Sequence, residues 1–586
     1  MEKRWVVNTP PDKKQILELK NELKCSPVIA NLLLQRGIKS AKEAKAFFNL
    51  SLDMLHDPFL MKDMDKAVSR LDTAINKGEK ILIYGDYDVV GTTSVALLYK
   101  YLSKHYNKDA LEYYIPNRYE EGYGVSKLGI DYASNNKFSL IIITDCGIKA
   151  VEKIKYAKDK NIDVIICDHH TPGKELPDAV AVLDPQREDC NYPYNWLSGC
   201  GVSFKFVQAH TIKHKLDINY VYSLLDLLCV SIASDIVPIT GENRILTHFG
   251  LIKLNTKPCL GLKTIIKAAG IKNEITVNDI VFRIGPRINA AGRVESGNKS
   301  VELLTAEKKE LALKTASLIN ILNDKRKKLD HDITEEAVKY VRKYEDNDTI
   351  MSTVLFNKNW HKGVIGIVAS RLTEIFYKPT IIMTLSNGFA TGSARSVEGF
   401  DLYNAISQCS EYLENYGGHK YAAGLTMKVE NIIPFKKKFE KIVNQTILKD
   451  MQSPQINIDA KIKLADITPE MYKDLKKFAP FGPNNNIPIF ETDNVTNFME
   501  SRQVGKNGEH LKLVVVDDTH TCSDRSGIGF NMGSFYKQVK SGEFFNICYT
   551  LQENDYMGRS YIQMILKDLQ FKKVKLKNEN FYKNTK

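Results

Sequence analysis

Between Lys80 and Asp235 the chain alternates short apolar runs with longer amphipathic segments. The runs are ILIYG (81–85), LEYYI (111–115), LIIIT (140–144), VIIC (164–167) and VAVL (180–183). Strands this short and this continuously apolar are buried on both faces, as happens when helices cover a parallel sheet from either side. Thr93 to Tyr106 and Lys149 to Lys160 read as the crossover helices, and Tyr220 to Ser234 as a further one. The expected class is therefore α/β, beginning with a doubly wound parallel-sheet domain.

Four of the runs lead directly into acids: Asp86 and Asp88, then Asp145, Asp168 and Asp184. In an open α/β sheet, ligands sit beyond the carboxyl ends of the strands, so these carboxylates are predicted to gather along one edge. His169 and His170 follow Asp168, and Asp235 closes the Tyr220 to Ser234 helix. Asp oxygens with one or two imidazoles suit Mn²⁺ or Mg²⁺ better than a thiolate-loving ion, and like charges packed so closely need a cation to stay ionised. Such a site supports phosphoester hydrolysis by two ions. The competing reading is that each Asp is a separate helix cap or turn residue, a role Asp often fills. Recurrence at successive strands favours the cluster.

A chain of 586 residues exceeds what one hydrophobic core supports, so three or four domains are expected. The predicted division is an N-terminal segment over 1–60 with no readable role, the α/β domain over 61–240, a helical connector over 241–345, a smaller α/β domain over 346–450, a β-barrel over 451–575 and a basic tail over 576–586. The connector rests on the charge-laced Glu307 to Tyr344 stretch. The smaller α/β domain rests on strands at Met351 to Phe356 and Pro379 to Thr384, a helix at Val364 to Phe376 and a glycine-rich turn at Gly417 to Gly424. LKLVVVD (511–517), FNICYTL (545–551) and YIQMILKDL (561–569) alternate with turns in the manner of an OB-fold.

Ten cysteines without a CxxC pair indicate neither a disulfide framework nor a zinc knuckle, and a reducing cytoplasm is the expected location. No apolar run approaches the ~20 residues of a membrane span, and Met1 to Pro10 has no apolar signal core. The net charge of +12 points towards a polyanionic partner, or equally to a solvated lysine-rich surface. Lys572, Lys573, Lys575, Lys577, Lys583 and Lys586 read as a frayed basic end.

GDYDVVGTTS (85–94), TDCG (144–147), DHH (168–170) and SD (234–235) resemble, in their usual order, the four motifs of the DHH phosphoesterase superfamily. RINAAGR (287–293), HKGVIGIVASRL (361–372), GSARS (392–396) and GGHKYAAG (417–424) resemble the connector and DHHA1 domain of RecJ exonucleases, and FAPFGPNNNIPIF (478–490) the entry to their OB domain. The resemblance implies a 5′-to-3′ exonuclease on single-stranded DNA, working in DNA repair and recombination through two Mn²⁺ or Mg²⁺ ions in a cleft between the DHH and DHHA1 domains. Asp86, Asp88, Asp145, His169, His170 and Asp235 would hold the metals, with Asp145 bridging both. Asp145, His169, His170 and His419 would serve the chemistry. Arg118, Arg287, Asn289, Arg293, Ser393, Arg395, Gly417, Gly418 and His419 would bind the substrate, arginine forks holding phosphate oxygens while the glycines let backbone N–H groups approach. The implied partners are a single strand with its 5′-phosphate end, and a single-strand-binding protein or a helicase. Plainer readings stay open for single residues: Arg118 as a surface arginine, Arg371 as a packing or pairing residue, His361 as a turn residue, the GGHKYAAG glycines as backbone devices.

One position departs from the pattern. The family's first motif reads D-Y-D-x-D-G, and its last Asp is here Val90. Valine offers no donor, so the ion shared with His169 and Asp235 is expected to bind weakly. Two rivals follow: a catalytically silent RecJ-like scaffold, which Val90 favours, and a small-substrate DHH phosphodiesterase, which the added OB-like region disfavours.

Overall fold

The protein is described by a computed structural model covering residues 3–344, 349–498, 500–517, 525–556 and 559–571; the basic tail lies outside them. The chain forms two compact units. One comprises Leu50–Gln452 with Pro480–Asn485; the other joins the residues up to Asn49 to Ser453–Ala479 and to those from Asn486 onward. The latter begins with strand β1 (Arg4–Val7) and the helices Lys13–Leu23, Pro27–Gln35 and Ala41–Phe48.

In the larger unit, β2 (Ile81–Gly85), β3 (Leu111–Tyr114), β4 (Leu140–Thr144), β5 (Asp163–Cys167) and β6 (Ala181–Leu183) make an all-parallel sheet in the order β3-β2-β4-β5-β6. Its alternate residues feed two separate apolar layers. Ile81, Ile83, Leu140, Ile142 and Ile165 pack with the helices Met64–Lys77, Val89–His105 and Gly199–Lys213. Leu82, Tyr84, Ile141, Ile143 and Ile166 pack with Lys127–Asn135 and Val151–Asp159. The sheet is thus doubly wound, as the unbroken apolar runs require. The chain leaves β2 in one direction for β3 and in the other for β4, so the topological switch point lies between β2 and β4, where α/β sheets open a crevice.

The connector is helical, and a π-helical turn at Ile280–Ile284 runs straight into the Gly285–Val294 helix that carries RINAAGR. Its longest element, Lys309–Tyr344, is 36 residues. Arg371 bonds Asp330 of that helix at 2.6 Å, the pairing role expected of it.

A second sheet follows, with β7 (Thr353–Phe356), β8 (Thr380–Ser386), β9 (Phe389–Arg395), β10 (Asn415–His419) and β11 (Ala422–Met427) in the order β10-β11-β9-β8-β7. Here the glycine-rich turn expected over Gly417 to Gly424 is corrected: the segment is a β-hairpin in which Gly417 faces Gly424 and His419 faces Ala422. Glycine weakens strand propensity and so reads as loop. At Gly418 it is required, because φ is +148° and a β-carbon would lie 2.6 Å from Ala423 Cα.

The other unit is the barrel, with β12 (Gln455–Ile458), β13 (Ala460–Lys461), β14 (Phe490–Asn497), β15 (Arg502–Val504), β16 (His510–Asp517), β17 (Arg525–Gly529), β18 (Phe545–Tyr556) and β19 (Arg559–Phe571). The sequence β14-β18-β19-β17-β16 closes on itself through β14–β16 pairing, which gives the five-stranded ring of an OB-fold. The N-terminal segment has a place in it. β1 pairs in parallel with β12, Trp5 Nε1 donates to Asp568 at 2.9 Å, and Phe47 and Phe48 pack edge-on against Phe478.

Candidate metal centre

Asp86 follows β2, Asp145 follows β4, and Asp235 is the last residue of the Leu225–Asp235 helix. The first two are 1% and 3% exposed. His169 brings its Nε2 to 3.3 Å from Asp145 Oδ1 and 3.5 Å from Asp235 Oδ2. Donor atoms of Asp145, His169 and His170 all fall within 4.8 Å of one another. Asp86 Oδ2, Asp145 Oδ1, His169 Nε2 and Asp235 Oδ2 are buried with no hydrogen-bond partner among the described residues. Polar atoms buried this way are costly unless something absent from the protein completes them.

The electrostatics agree. Burial, with the Asp88 charge beside it, pushes the Asp86 carboxyl up to about 8. Burial together with Asp88 and Asp235 drives Asp145 well above the carboxylate range. Asp235 is raised as well, by burial first, with His169 opposing and Asp88 adding. Three carboxyls all raised by burial and by one another's charge are a fit for divalent cations, which would favour their charged forms and take the orphaned oxygens as ligands.

The backbone is bent to make this cluster. Asp145 has φ +62° and Ile236, directly after Asp235, has φ +62°, a conformation that costs non-glycine residues of order 1–3 kcal/mol and concentrates at functional sites. Asp145 also needs room. A β-carbon on Gly199, the first residue of its helix, would lie 2.7 Å from Asp145 Cβ and Cγ and closer still to Oδ1.

Asp168, the D of DHH, does different work from the other acids. It accepts from the backbone N–H of Ile148 at 2.9 Å and of His169 at 2.8 Å, and it pairs with His170 Nδ1 at 2.7 Å. Burial alone would raise it, but His170 and these donors outweigh burial and hold it below the usual range. His170 is raised in return, the carboxylate overcoming burial. His170 Nε2 then faces the Tyr123 hydroxyl at 3.2 Å. Asp88 is the N-cap of the Val89–His105 helix, its Oδ1 accepting from Val90 N at 2.8 Å and Gly91 N at 3.0 Å. Val90 is buried in the large apolar layer on one side of the sheet.

Around this centre the sequence-predicted phosphate residues divide. Arg118 lies over the Tyr87 ring, 4.8 Å from its centroid. Arg293 donates to the Gly363 carbonyl at 3.0 Å, while its own carbonyl accepts from the Tyr119 hydroxyl. Arg395 reaches Ser393 Oγ at 3.1 Å, and Gly366 leaves both the room they occupy. These cations repel one another. Burial and then Arg118, Arg326 and Arg395 lower Arg293 to about 10; burial and Arg118 lower Arg395 and Lys362; burial with Lys325 and Arg118 lowers His361. A half-buried group of like charges is a ready anion site. His419 is exposed on β10, and burial with Lys149 and His170 nearby lowers it; Gly417 and Gly418 precede it on that edge strand.

Two expected substrate residues are engaged inside the protein. Arg287 bonds Asn320 at 3.2 Å and the Arg283 carbonyl at 2.6 Å. Asn289 accepts from Val89 N at 2.7 Å, fixing the helix start that bears Asp88. Sequence reasoning named Asp184 among the strand-end acids expected along one edge but gave it no ligand role, and it passed over Tyr123 and Gly199. Asp184 is fully buried with Oδ2 unpartnered, and burial pushes it up to about 7; its place at a strand end was the available signal. Ser198 before Gly199 is a helix-start signature that marks the second.

Family models match in three places: the DHH family N-terminal domain over 80–232, the DHHA1 domain over 335–445 and the RecJ OB domain over 458–568. The chain is 35% identical over 571 residues to the single-stranded-DNA-specific exonuclease RecJ of Bacillus subtilis, covering 96% of this chain and 70% of that protein. The Escherichia coli RecJ is 29% identical, with 93% and 96% covered. The crystal structure of Thermus thermophilus RecJ in complex with Mn²⁺ shares the fold at a TM-score of 0.83 and 24% identity, over 97% of this chain and 80% of that one.

Proposed function

The chain belongs to the RecJ family of DHH phosphoesterases, and from that premise we propose that it is a metal-dependent exonuclease hydrolysing single-stranded DNA from the 5′ end. The observation that carries the reading is the set of buried, unpartnered donor atoms on Asp86, Asp145, His169 and Asp235. Mn²⁺ or Mg²⁺ held there supplies an activated water at neutral pH and stabilises the leaving oxygen.

The chain's own residues account for the rest. Asp145 faces His169 and lies among the charges of Asp88 and Asp235, so it would be a ligand to a divalent cation held there. Asp168 holds the His170 ring in orientation through Nδ1, as a carboxylate does for a metal-binding imidazole. Arg118, Arg293 and Arg395, with Ser393, are positioned to take a terminal phosphate, since their mutual repulsion is relieved by an anion. His419, whose charge is opposed by His170 and Lys149, would serve the substrate phosphate from β10. The OB barrel grips the strand by stacking and charge. A cytoplasmic location and a single-strand-binding protein or helicase as partner complete the reading.

A second reading has one observation in its favour. Val90 stands where the family's first motif has Asp and is buried among apolar side chains, which supports a chain that binds single strands but cuts them slowly. The test is digestion of a 5′-phosphorylated single strand, a 5′-hydroxyl strand and a duplex with Mn²⁺, by the full chain and by Asp145→Asn. The exonuclease reading requires release of nucleotides from the first substrate in preference to the others, and its loss in the variant. Binding of single strands without Mn²⁺-dependent release in either protein assigns the chain to the silent class.

A further inference from the structure

We infer that Asp72, His210 and His214 form a second metal site, suited to a zinc-class transition ion, on the sheet-covering helices of the DHH domain. The two histidines are four residues apart on the helix Gly199–Lys213 and its C-cap, so both imidazoles leave one face. Asp72 comes from the neighbouring helix Met64–Lys77. Its Oδ1 is 3.4 Å from His210 Nε2 and 2.8 Å from His214 Nε2, and one ligand atom from each residue falls within 4.8 Å of the others. A tetrahedral ion with bonds of ~2.0–2.1 Å separates its ligand atoms by about 3.3 Å, so the three residues need only small adjustments to close on one.

A second, independent feature supports a ligand role. His210 Nδ1 meets the Tyr101 hydroxyl at 2.8 Å, and that hydroxyl in turn meets Thr211 Oγ1 at 2.7 Å. An imidazole held at Nδ1 presents Nε2 in a fixed direction, which is how metal-binding histidines are oriented. Two imidazoles and one carboxylate select Zn²⁺ over the hard ions that suit the Asp-rich cluster. Lys213 occupies the other oxygen of Asp72 at 2.8 Å, leaving Oδ1 for the ion, and the partly exposed side of His214 gives a water access to the fourth position.

This site is distinct from the Asp145 cluster. Gly199 touches Asp145 at the opposite end of the same helix, and eleven residues at 1.5 Å each put His210 about 17 Å further along. Its consequence is mechanical: an ion there staples Met64–Lys77 to Gly199–Lys213 and stabilises the folded domain by mass action.

The experiment uses the full chain carrying Asp145→Asn, so that ions at the main cluster do not obscure the second site. Zn²⁺ binding is followed by equilibrium dialysis, Co²⁺ binding by visible absorption, and Tm with and without Zn²⁺. We expect one tightly bound Zn²⁺ per chain, a tetrahedral Co²⁺ spectrum and a Tm raised by Zn²⁺. Adding His214→Ala or Asp72→Asn should weaken Zn²⁺ binding at least about 100-fold and abolish the Tm response. His214→Gln, at a partly exposed position, serves if the alanine variant does not fold. Absence of bound Zn²⁺, or unchanged affinity in the His214 and Asp72 variants, reduces the trio to a hydrogen-bonded helix contact and overturns the inference.

Discussion

Gly199→Ala tests how the fold seats the Asp145 carboxylate. The added β-carbon would lie 2.7 Å from Asp145 Cβ and Cγ, whereas unstrained carbon atoms approach to about 3.5–4.0 Å. Roughly 1 Å of displacement must therefore be absorbed, and Asp145 already holds a strained φ of +62°, so its side chain is the part that gives. Overpacking costs about 1–3 kcal/mol, and replacing glycine by alanine in a helix returns up to ~1 kcal/mol, so stability should fall by no more than about 3 kcal/mol. The larger effect falls on function. A 1 Å misplacement of a catalytic group costs on the order of 10²-fold in rate, and loss of ligand positioning costs about 10–100-fold in metal affinity. Free Mn²⁺ counted by electron paramagnetic resonance, urea denaturation and single-turnover digestion read the three quantities separately. Mn²⁺ affinity and rate both within twofold of the parent would refute the claim that Gly199 exists to admit Asp145.

Three further outcomes are expected. Asp168→Asn turns one carboxylate oxygen into an amide NH2, so either Ile148 N or the pair His169 N and His170 Nδ1 loses its acceptor and the charge facing His170 is lost; chemical denaturation should show a loss of about 2–4 kcal/mol, and a stability unchanged within 0.5 kcal/mol would contradict the holding role of the Asp168 carboxylate. Arg395→Ala should slow digestion of 5′-phosphorylated strands at least about tenfold while leaving metal-free binding of long strands nearly intact, because the guanidinium meets Ser393 within the proposed phosphate site; equal losses in both assays mark it as structural. Deleting β1 removes its parallel pairing with β12 and the Trp5–Asp568 bond, so the barrel's thermal transition should fall by several degrees, and an unmoved transition detaches the N-terminal segment from the barrel's stability.

The sheet was legible because its strands are buried on both faces, which leaves unbroken apolar runs, and because acids recur where those runs end. Asp145 and His169, which follow separate strands, meet at one edge of the sheet, and Asp235 joins them from a helix end. Gly417 to Gly424 misled because two facing glycines make a strand pair that composition reads as loop. The place of the first 49 residues was hidden for another reason: β1 pairs with β12, about 450 positions later, and no local pattern encodes a partner so distant. Arg287 and Asn289, expected to bind substrate, also bond Asn320 and Val89, contacts that no local pattern encodes. Gly199 was silent because a glycine's reason is the atom it makes room for.

The measurement closest to the central claim compares the chain as it stands with Val90→Asp, counting Mn²⁺ per chain and timing single-turnover digestion of a 5′-phosphorylated oligonucleotide in the same samples. Asp86, Asp88, Asp145, His169, His170 and Asp235 are all present, so one added carboxylate would complete the ligand set that the family resemblance implies, and each ion of a two-metal hydrolysis stabilises a different oxygen. The account predicts a higher Mn²⁺ occupancy in Val90→Asp and a rate raised by about 10² or more, equivalent to several kcal/mol of barrier. Equal occupancy and equal rates would contradict it, and would mean that Val90 does not stand at a ligand position.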